Sequence, residues 1–273
     1  MKIAVLGDIH SNSEALESVL TDIKNENVDK IIHTGDVVGY CTDIEECITR
    51  LVSENISGVH GNHDLMAIGE MATDDCIRSG IKAIHWTWNH ITNEQKEYLA
   101  KLPKIMTVEN IVIFHATPKS VLRRIRKPED AEEVTRELNE NYNDWWIGVH
   151  GHVHKQHVFE NDGNSTTLVH RGQGSIKLRP DKKYIICPGS VGVSRDFDYR
   201  TSYMLIDTKA AKITMRRIDY DWRSCTKKIR AAGLETKLYL HRTTYLKRKT
   251  KYHFWLLVQK IKKGLFNRII TLD

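Results

Sequence analysis

The 273-residue sequence has no CxxC pair, no internal repeat and no low-complexity linker. Its five cysteines (Cys41, Cys47, Cys76, Cys187, Cys225) are odd in number and scattered. This argues against a disulfide framework and points to a reducing compartment. No apolar run approaches the roughly 20 residues that span a bilayer. The opening MKIAVLGDIH lacks the apolar stretch of a secretory signal. With 40% hydrophobic and 28% charged residues the balance is that of a globular chain, which excludes wholesale disorder and fibrous structure. The expectation is a cytoplasmic protein, built as one large domain or two small ones.

Positive charge is plentiful only at the end. Residues 241–273 hold nine basic side chains opposed by Asp273 alone, so they carry +8, and residues 1–240 carry −2 of the +6 total. A mildly acidic body argues against a nucleic-acid-binding face. Apolar residues recur at helical spacing through the tail, from Phe254 to Leu272, with Lys260, Lys262, Lys263 and Arg268 between them. This basic amphipathic pattern suits a terminal helix packed on the body or on a partner protein, or peripheral attachment to an anionic membrane surface.

Ahead of the tail, strand and helix patterns alternate. KIAVL (2–6), KIIH (30–33) and ISGVH (56–60) read as strands. A helix capped by Ser11, Asn12 or Ser13 carries Leu16, Val19, Leu20 and Ile23, and a second over 43–54 carries Ile44, Cys47, Ile48 and Leu51. Helical patterns cover about 75–101, and a hairpin over 104–115 turns at Glu109-Asn110. Pro128 opens a helix running to about Asn141, and WWIGV leads into His-Gly-His-Val-His. From about 155 to 220 short strands and turns follow. The order predicts layered α/β, with helices covering a central sheet pair.

Five apolar strands end in the same kind of chemistry: Asp8 and His10, Asp36, Asn62-His63-Asp64, His115, and His152 with His154. Gly7, Gly35, Gly61 and Gly151 supply backbone freedom at four of these breaks. A lone Gly-Asp or Gly-Asn-His is usually only a turn, but functional groups in α/β sheets gather beyond the carboxyl ends of strands. Asp, Asn and neutral His suit divalent ions such as Mn²⁺, Fe²⁺, Zn²⁺ and Co²⁺. The ligands are too many for one ion. Two ions about 3.5–4 Å apart, bridged by one carboxylate, would use them all.

The ordered set Asp-x-His, Gly-Asp, Gly-Asn-His-Asp, His and Gly-His-x-His over residues 8–154 resembles the calcineurin-like metallophosphoesterases. GDVVGY (35–40) and CPGSVGVSRDFDYRTSYMLID (187–207) are similar to segments of a bacterial subgroup of YfcE-like phosphodiesterases and diadenosine-tetraphosphatase-related phosphatases. The similarity reaches about residue 240, which implies a catalytic domain over 1–240 followed by the tail 241–273. The implied fold is a four-layer α-β-β-α sandwich of two mixed sheets. By position the resemblance makes Asp8, His10 and His154 ligands of one metal and Asn62, His115 and His152 ligands of the other. It makes Asp36 the bridge and His63 the catalytic histidine, oriented by Asp64. Mn²⁺ is the expected ion, with Fe²⁺, Zn²⁺, Co²⁺ or Ni²⁺ as alternatives. Ala116, Val153 and Cys187 depart from common family residues without removing a ligand.

The implied activity is hydrolysis of a phosphoester, a phosphodiester first, by a bridging water whose pKa two cations would lower towards neutrality. A phosphomonoesterase acting on phosphoproteins or dinucleotide polyphosphates is the runner-up. A non-catalytic scaffold, as in the retromer subunit of similar fold, competes from another class. That lineage lacks the catalytic histidine, which is present here as His63. Arg195 or Arg200 could clamp a substrate oxyanion or simply belong to a surface salt-bridge loop. Tyr40 could line the pocket or pack. His33, His60 and His150 read as packing groups, and Trp145 and Trp146 as core or rim anchors.

Overall fold

Strand β1 (Lys2–Leu6) sends Ile3 and Val5 to one apolar cluster and Ala4 and Leu6 to another, as a strand buried on both faces must. The computed structural model describes residues 1–74, 76–196 and 198–236. The expectations attached to the tail, and the boundary near residue 240, lie outside these residues.

After β1 the chain forms α1 (Ser13–Ile23), β2 (Lys30–His33), α2 (Ile44–Ser53), β3 (Ser57–Gly58), α3 (Asn62–Ile68), α4 (Arg78–Trp88) and α5 (Asn93–Ala100). It continues through β4 (Ile105–Val108), β5 (Ile111–Phe114), α6 (Pro128–Asn141) and β6 (Ile147–Val149). Six strands follow: β7 (His157–Asn161), β8 (Thr166–Arg171), β9 (Gly174–Lys177), β10 (Lys183–Cys187), β11 (Thr201–Asp207) and β12 (Lys212–Ile218). Helix α7 (Trp222–Ala231) comes last. No helix of the described residues is long and apolar enough to cross a membrane.

These strands form two six-stranded mixed sheets. One runs β3-β2-β1-β11-β12-β9 and the other β4-β5-β6-β10-β7-β8. In the first, β1, β2 and β3 are parallel, and in the second β5, β6 and β10 are parallel. The sheets bury Ile3, Val5, Ile32, Ile111, Ile113, Ile147, Ile186, Met204 and Ile206 in one shared cluster. On the outer face of the first sheet, Ala4, Leu6 and Leu205 pack with the apolar stripes of α1 and α2. On the outer face of the second, Val112, Phe114 and Ile185 pack with Ala131, Val134 and Leu138 of α6. The result is the expected α-β-β-α layering.

Local signals explain most element ends. Asn12 caps α1, its side-chain oxygen accepting from the Ala15 N–H at 3.1 Å. Pro128 sits at the first position of α6. The hairpin turns at Glu109, which takes φ +52. Three expectations change. The strand expected over 56–60 shrinks to Ser57–Gly58, because it lies at the sheet edge and only β2 is there to pair with it. The helical stretch of about 75–101 breaks in two, since Thr92 and Gln95 form a reciprocal cap that starts α5 afresh. Helices α3 and α7 are additional. The first starts inside the Gly-Asn-His-Asp motif, and the second is capped by Asp221 accepting from Arg223 and Ser224.

Ile113 is fully buried between the sheets. Ile113→Ala should therefore lower stability by about 2–5 kcal/mol, read from the denaturant midpoint at constant slope. Val52→Ala, at a position 60% exposed on α2, should change it by less than about 0.5 kcal/mol.

Candidate metal centre

The parallel strands β1, β2 and β3 of one sheet and β5 and β6 of the other end at a common edge, and the loops there are stitched together across the two sheets. Across the sheets the Asp8 carboxylate accepts from the His152 N–H at 2.8 Å, and within the second sheet the Gly151 N–H donates to the His115 carbonyl at 2.7 Å. Within the first sheet the His10 N–H donates to the Asp36 carbonyl, and the His63 N–H to the Asp36 carboxylate, each at 2.9 Å. Asp8, His10, Asp36, Tyr40, His152 and His154 all take positive φ, between 44° and 64°. Such backbone costs roughly 1–3 kcal/mol per residue and persists only where surrounding structure over-determines it. The loop glycines do less than expected in this respect. Gly35 does take φ +90, whereas Gly61 is needed for close approach, since a Cβ there would lie 2.1 Å from the Asp36 carboxylate.

Four histidines share one arrangement. His10 Nδ1 donates to the Val38 carbonyl at 3.0 Å, His115 Nδ1 to Thr34 at 2.8 Å, His154 Nδ1 to Val193, and His152 Nε2 to Leu122 at 3.0 Å. A neutral imidazole has one donor nitrogen and one acceptor, so each outward bond leaves a lone pair on the other nitrogen. Those nitrogens fall into two groups with carboxylates: Asp8, His10, Asp36 and His154, and Asp36, His115 and His152. In each group the ligand atoms lie within 4.8 Å of one another, and Asp36 belongs to both. Asp36 Oδ2 is 3.6 Å from His10 Nε2, and Oδ1 is 3.4 Å from His115 Nε2. Asn62 joins the second group through its side-chain oxygen, 3.0 Å from His115 Nε2.

This donor set fits a cation. His10 Nε2 and His154 Nε2 face each other at 3.2 Å, and Asp8 Oδ2 is buried without a hydrogen-bond partner. Unshared lone pairs packed this closely repel, and an orphaned buried carboxylate oxygen costs about 1–3 kcal/mol or more. Burial pushes every group towards its uncharged form. It raises the Asp8 carboxyl well above the carboxylate range, with Asp36 adding to the effect, and raises Asp36 to about 7. It lowers His115 to about 4 and His10, His152 and His154 well below their usual value. Neutral histidines are competent ligands, and a divalent ion among them reverses the cost of ionising the two acids.

A cavity of about 400 Å³ opens over this cluster. Asp36, Asn62, His63, His152 and His154 line it, with Tyr40 and Arg195. Burial, helped by Arg195, lowers His63 to about 3, and its Nδ1 has no hydrogen-bond partner. Its ring lies 4.7 Å from the Tyr40 ring and 4.8 Å from His10, centroid to centroid. Arg195 donates to the Tyr40 hydroxyl at 2.9 Å.

Two sequence-based roles are corrected. Asp64 does not orient His63, because its carboxylate accepts from the N–H groups of Val37, Val38 and Gly61 at 2.8–3.1 Å. It braces the Asp36 loop instead, and the two residues diverge because they point from successive positions of α3. Arg200 is not at the cavity, since Asp198 holds its guanidinium through both oxygens, at 2.7 and 3.1 Å. Sequence reasoning also missed Cys76, Ser120, Leu122, Arg123 and Arg124 on the cavity wall. The basic run Arg123-Arg124 after the His115 segment was the available signal. His33 and His150 pack beneath the loops, His150 pairing with His157 at 3.0 Å. Trp145 is buried against the α6 layer.

Two stacked mixed sheets with an Asp/His cluster at their common edge define a metallophosphoesterase. Residues 1–211 match the family described as the calcineurin-like phosphoesterase superfamily domain, and the chain belongs to that superfamily. An uncharacterised protein of Methanocaldococcus jannaschii is 40% identical over 233 residues, 83% of this chain and 91% of its own length. The crystal structure of a metallophosphoesterase from Sphaerobacter thermophilus is similar at a TM-score of 0.72 and 28% identity, covering 88% of this chain and 99% of that one. A hypothetical protein from Pyrococcus horikoshii is similar in fold at a TM-score of 0.69 and 19% identity, covering 87% and 95%.

In metal-free protein the Asp36 carboxyl holds its proton up to about pH 7, whereas a bound cation needs the carboxylate. Mn²⁺ affinity should therefore fall as pH drops below 7, by about tenfold per pH unit for each proton displaced. Calorimetry in two buffers of different ionisation enthalpy would read that proton release, and an affinity unchanged between pH 7 and 5 would contradict it.

Proposed function

We propose that this chain is a dinuclear metal-dependent phosphodiesterase. One observation carries the reading: four histidines turn one nitrogen out to a backbone carbonyl and the other inward, in two groups that share Asp36. Asp8, His10 and His154 would hold one divalent ion and Asn62, His115 and His152 the other, with Asp36 common to both and Mn²⁺ the preferred metal. When bound, the ions supply Lewis acidity that acidifies water and offsets the phosphate charge repelling it.

The protein's own groups do the rest. The outward hydrogen bond holds each ligand histidine in orientation, and burial keeps it from taking a second proton. The three backbone N–H groups on Asp64 fix the loop that presents Asp36. Burial keeps His63 uncharged beside the cavity, and a phosphoryl group would raise its pKa by direct charge attraction. His63 lines the cavity and can then hydrogen-bond that group or give a proton to the leaving oxygen, a role typically worth about 10²–10⁴-fold. A cavity of about 400 Å³ leaves room for ester arms on both sides of a phosphodiester. Phosphomonoesterase activity is the second reading, favoured by Arg195, whose guanidinium suits the extra charge of a monoester dianion.

Chelation should abolish hydrolysis of a bis-aryl phosphate, and Mn²⁺ should restore it with two ions per chain by elemental analysis. Full turnover in metal-free protein would refute the reading, and a mono-aryl phosphate cleaved faster than the diester would select the second one. His63→Ala should keep both metals and lose about 10²–10⁴-fold in kcat, whereas Asp36→Ala should lose metal itself.

A further inference from the structure

The loop from Val38 to Cys41 is pressed against the metal cluster. The Val38 carbonyl accepts from His10 Nδ1 at 3.0 Å, and the Cys41 N–H donates back to the His10 carbonyl at 3.2 Å. Gly39 backs onto His63 so closely that a Cβ there would lie 2.5 Å from His63 Nδ1. Tyr40 sets its ring 4.7 Å from those of both His10 and His63, centroid to centroid, and its hydroxyl accepts from Arg195. It does so at φ +59, a conformation that a bulky side chain keeps only where its surroundings enforce it.

Part of that enforcement comes from the far end of the described chain, beyond the superfamily domain over residues 1–211. Helix α7 is fixed to the body by Lys228, which pairs with Glu14 at 2.7 Å and with Asp43. Its Cys225 and Ile229 are buried in one cluster with Tyr40, Cys41 and Val193. Gly233, at φ +70, ends the helix and turns the chain back. The Leu234 N–H then returns to the Ile229 carbonyl at 3.0 Å, and the Leu234 side chain packs on the same cluster. Glu235 pairs with Lys82 of α4. Thr236 Oγ1 donates to the Tyr40 carbonyl at 2.7 Å, across 196 positions of sequence. Residues 233–236 thus form a strap, tied at one end to α7 and at the other to the strained residue of the cavity wall. One hydrogen bond of this kind adds little to global stability. It bears, however, on a residue in contact with two histidines of the site, where a displacement of about 1 Å can cost about 10²-fold in rate.

We propose that Thr236 is a positioning residue of the metal centre. Its hydroxyl holds the Tyr40 backbone, and through the Tyr40 ring it holds His63 in place beside the cavity. The effect on turnover rests on the phosphoesterase reading; the hold on the His63 ring does not.

The test uses the full chain with excess Mn²⁺ and bis(4-nitrophenyl) phosphate. Thr236→Val removes the hydroxyl at nearly constant volume. It should lower kcat by about tenfold and leave KM within about twofold of wild type. Thr236→Ser keeps the donor and should restore the wild-type rate. A second measurement does not use turnover. In chelator-treated, metal-free protein the imidazole C–H resonance of His63, identified by its loss in His63→Gln, lies in the ring-current field of Tyr40. That resonance should move in Thr236→Val and return in Thr236→Ser. A wild-type kcat in Thr236→Val, a Thr236→Ser variant as slow as Thr236→Val, or a His63 resonance unmoved in Thr236→Val would overturn the assignment. Where Thr236→Val does not fold, Thr236→Ala gives the same reading. If the wild type leaves the diester intact, the phosphodiesterase reading falls, and the His63 resonance still decides whether Thr236 holds the ring.

Discussion

The site depends on one constraint: an inward-facing lone pair on every cluster histidine, enforced by an outward hydrogen bond to a backbone carbonyl. The carbonyls of Thr34 and Val38 belong to the loop after β2, and those of Leu122 and Val193 to two others. Each fixes a tautomer and a ring orientation together, so the electronic state of the cluster is set by main-chain geometry. If any of those loops moved, the ring above it would be free to turn its donor inward, and a proton would face a space shaped for a cation. Asp36 adds the second constraint, because its two oxygens reach the two histidine groups from one side chain.

The loops themselves are unfavourable structures. Asp8, His10, Asp36, His152 and His154 sit in left-handed backbone conformations that cost free energy, and their polar groups are buried where water cannot compensate them. The two stacked sheets make this tolerable. Ile3, Val5, Ile32, Ile111, Ile113 and Ile147 fill the space between them, so the strand ends cannot separate without opening the apolar interface. Stability is invested in the sheet pair and released at its edge, where bonds such as that from the His152 N–H to Asp8 join the two sheets. Fold and site are coupled in this sense: rigid packing below permits strained, charge-dense loops above.

Much of the architecture was legible beforehand, because it rests on short-range rules. The stripe Ile44, Cys47, Ile48 and Leu51, the Asn12 cap and Pro128 each gave a helix within a residue or two of its place. Helix α3 was hidden because its first turn is made of the residues that also carry the chemistry. Asn62, His63 and Asp64 are poor helix formers in isolation. They are held there by the Asp64 carboxylate closing back on the Gly61 N–H and by Gly69 ending the helix in a left-handed turn. The short β3 was overestimated because apolar alternation says nothing about whether a partner strand exists.

From the sequence alone came the chemical inventory and its order: which strands end in Asp, Asn or His, and that five such ends precede residue 155. Pairings across long separations came only with the folded chain. That Asp8 meets His154, that Asp64 serves the backbone rather than His63, and that Arg124 rather than Arg200 reaches the cavity are facts of how two sheets stack. Local periodicity encodes which face of an element is apolar. The distance between side chains more than a hundred positions apart is fixed by packing between layers, and no local pattern carries it.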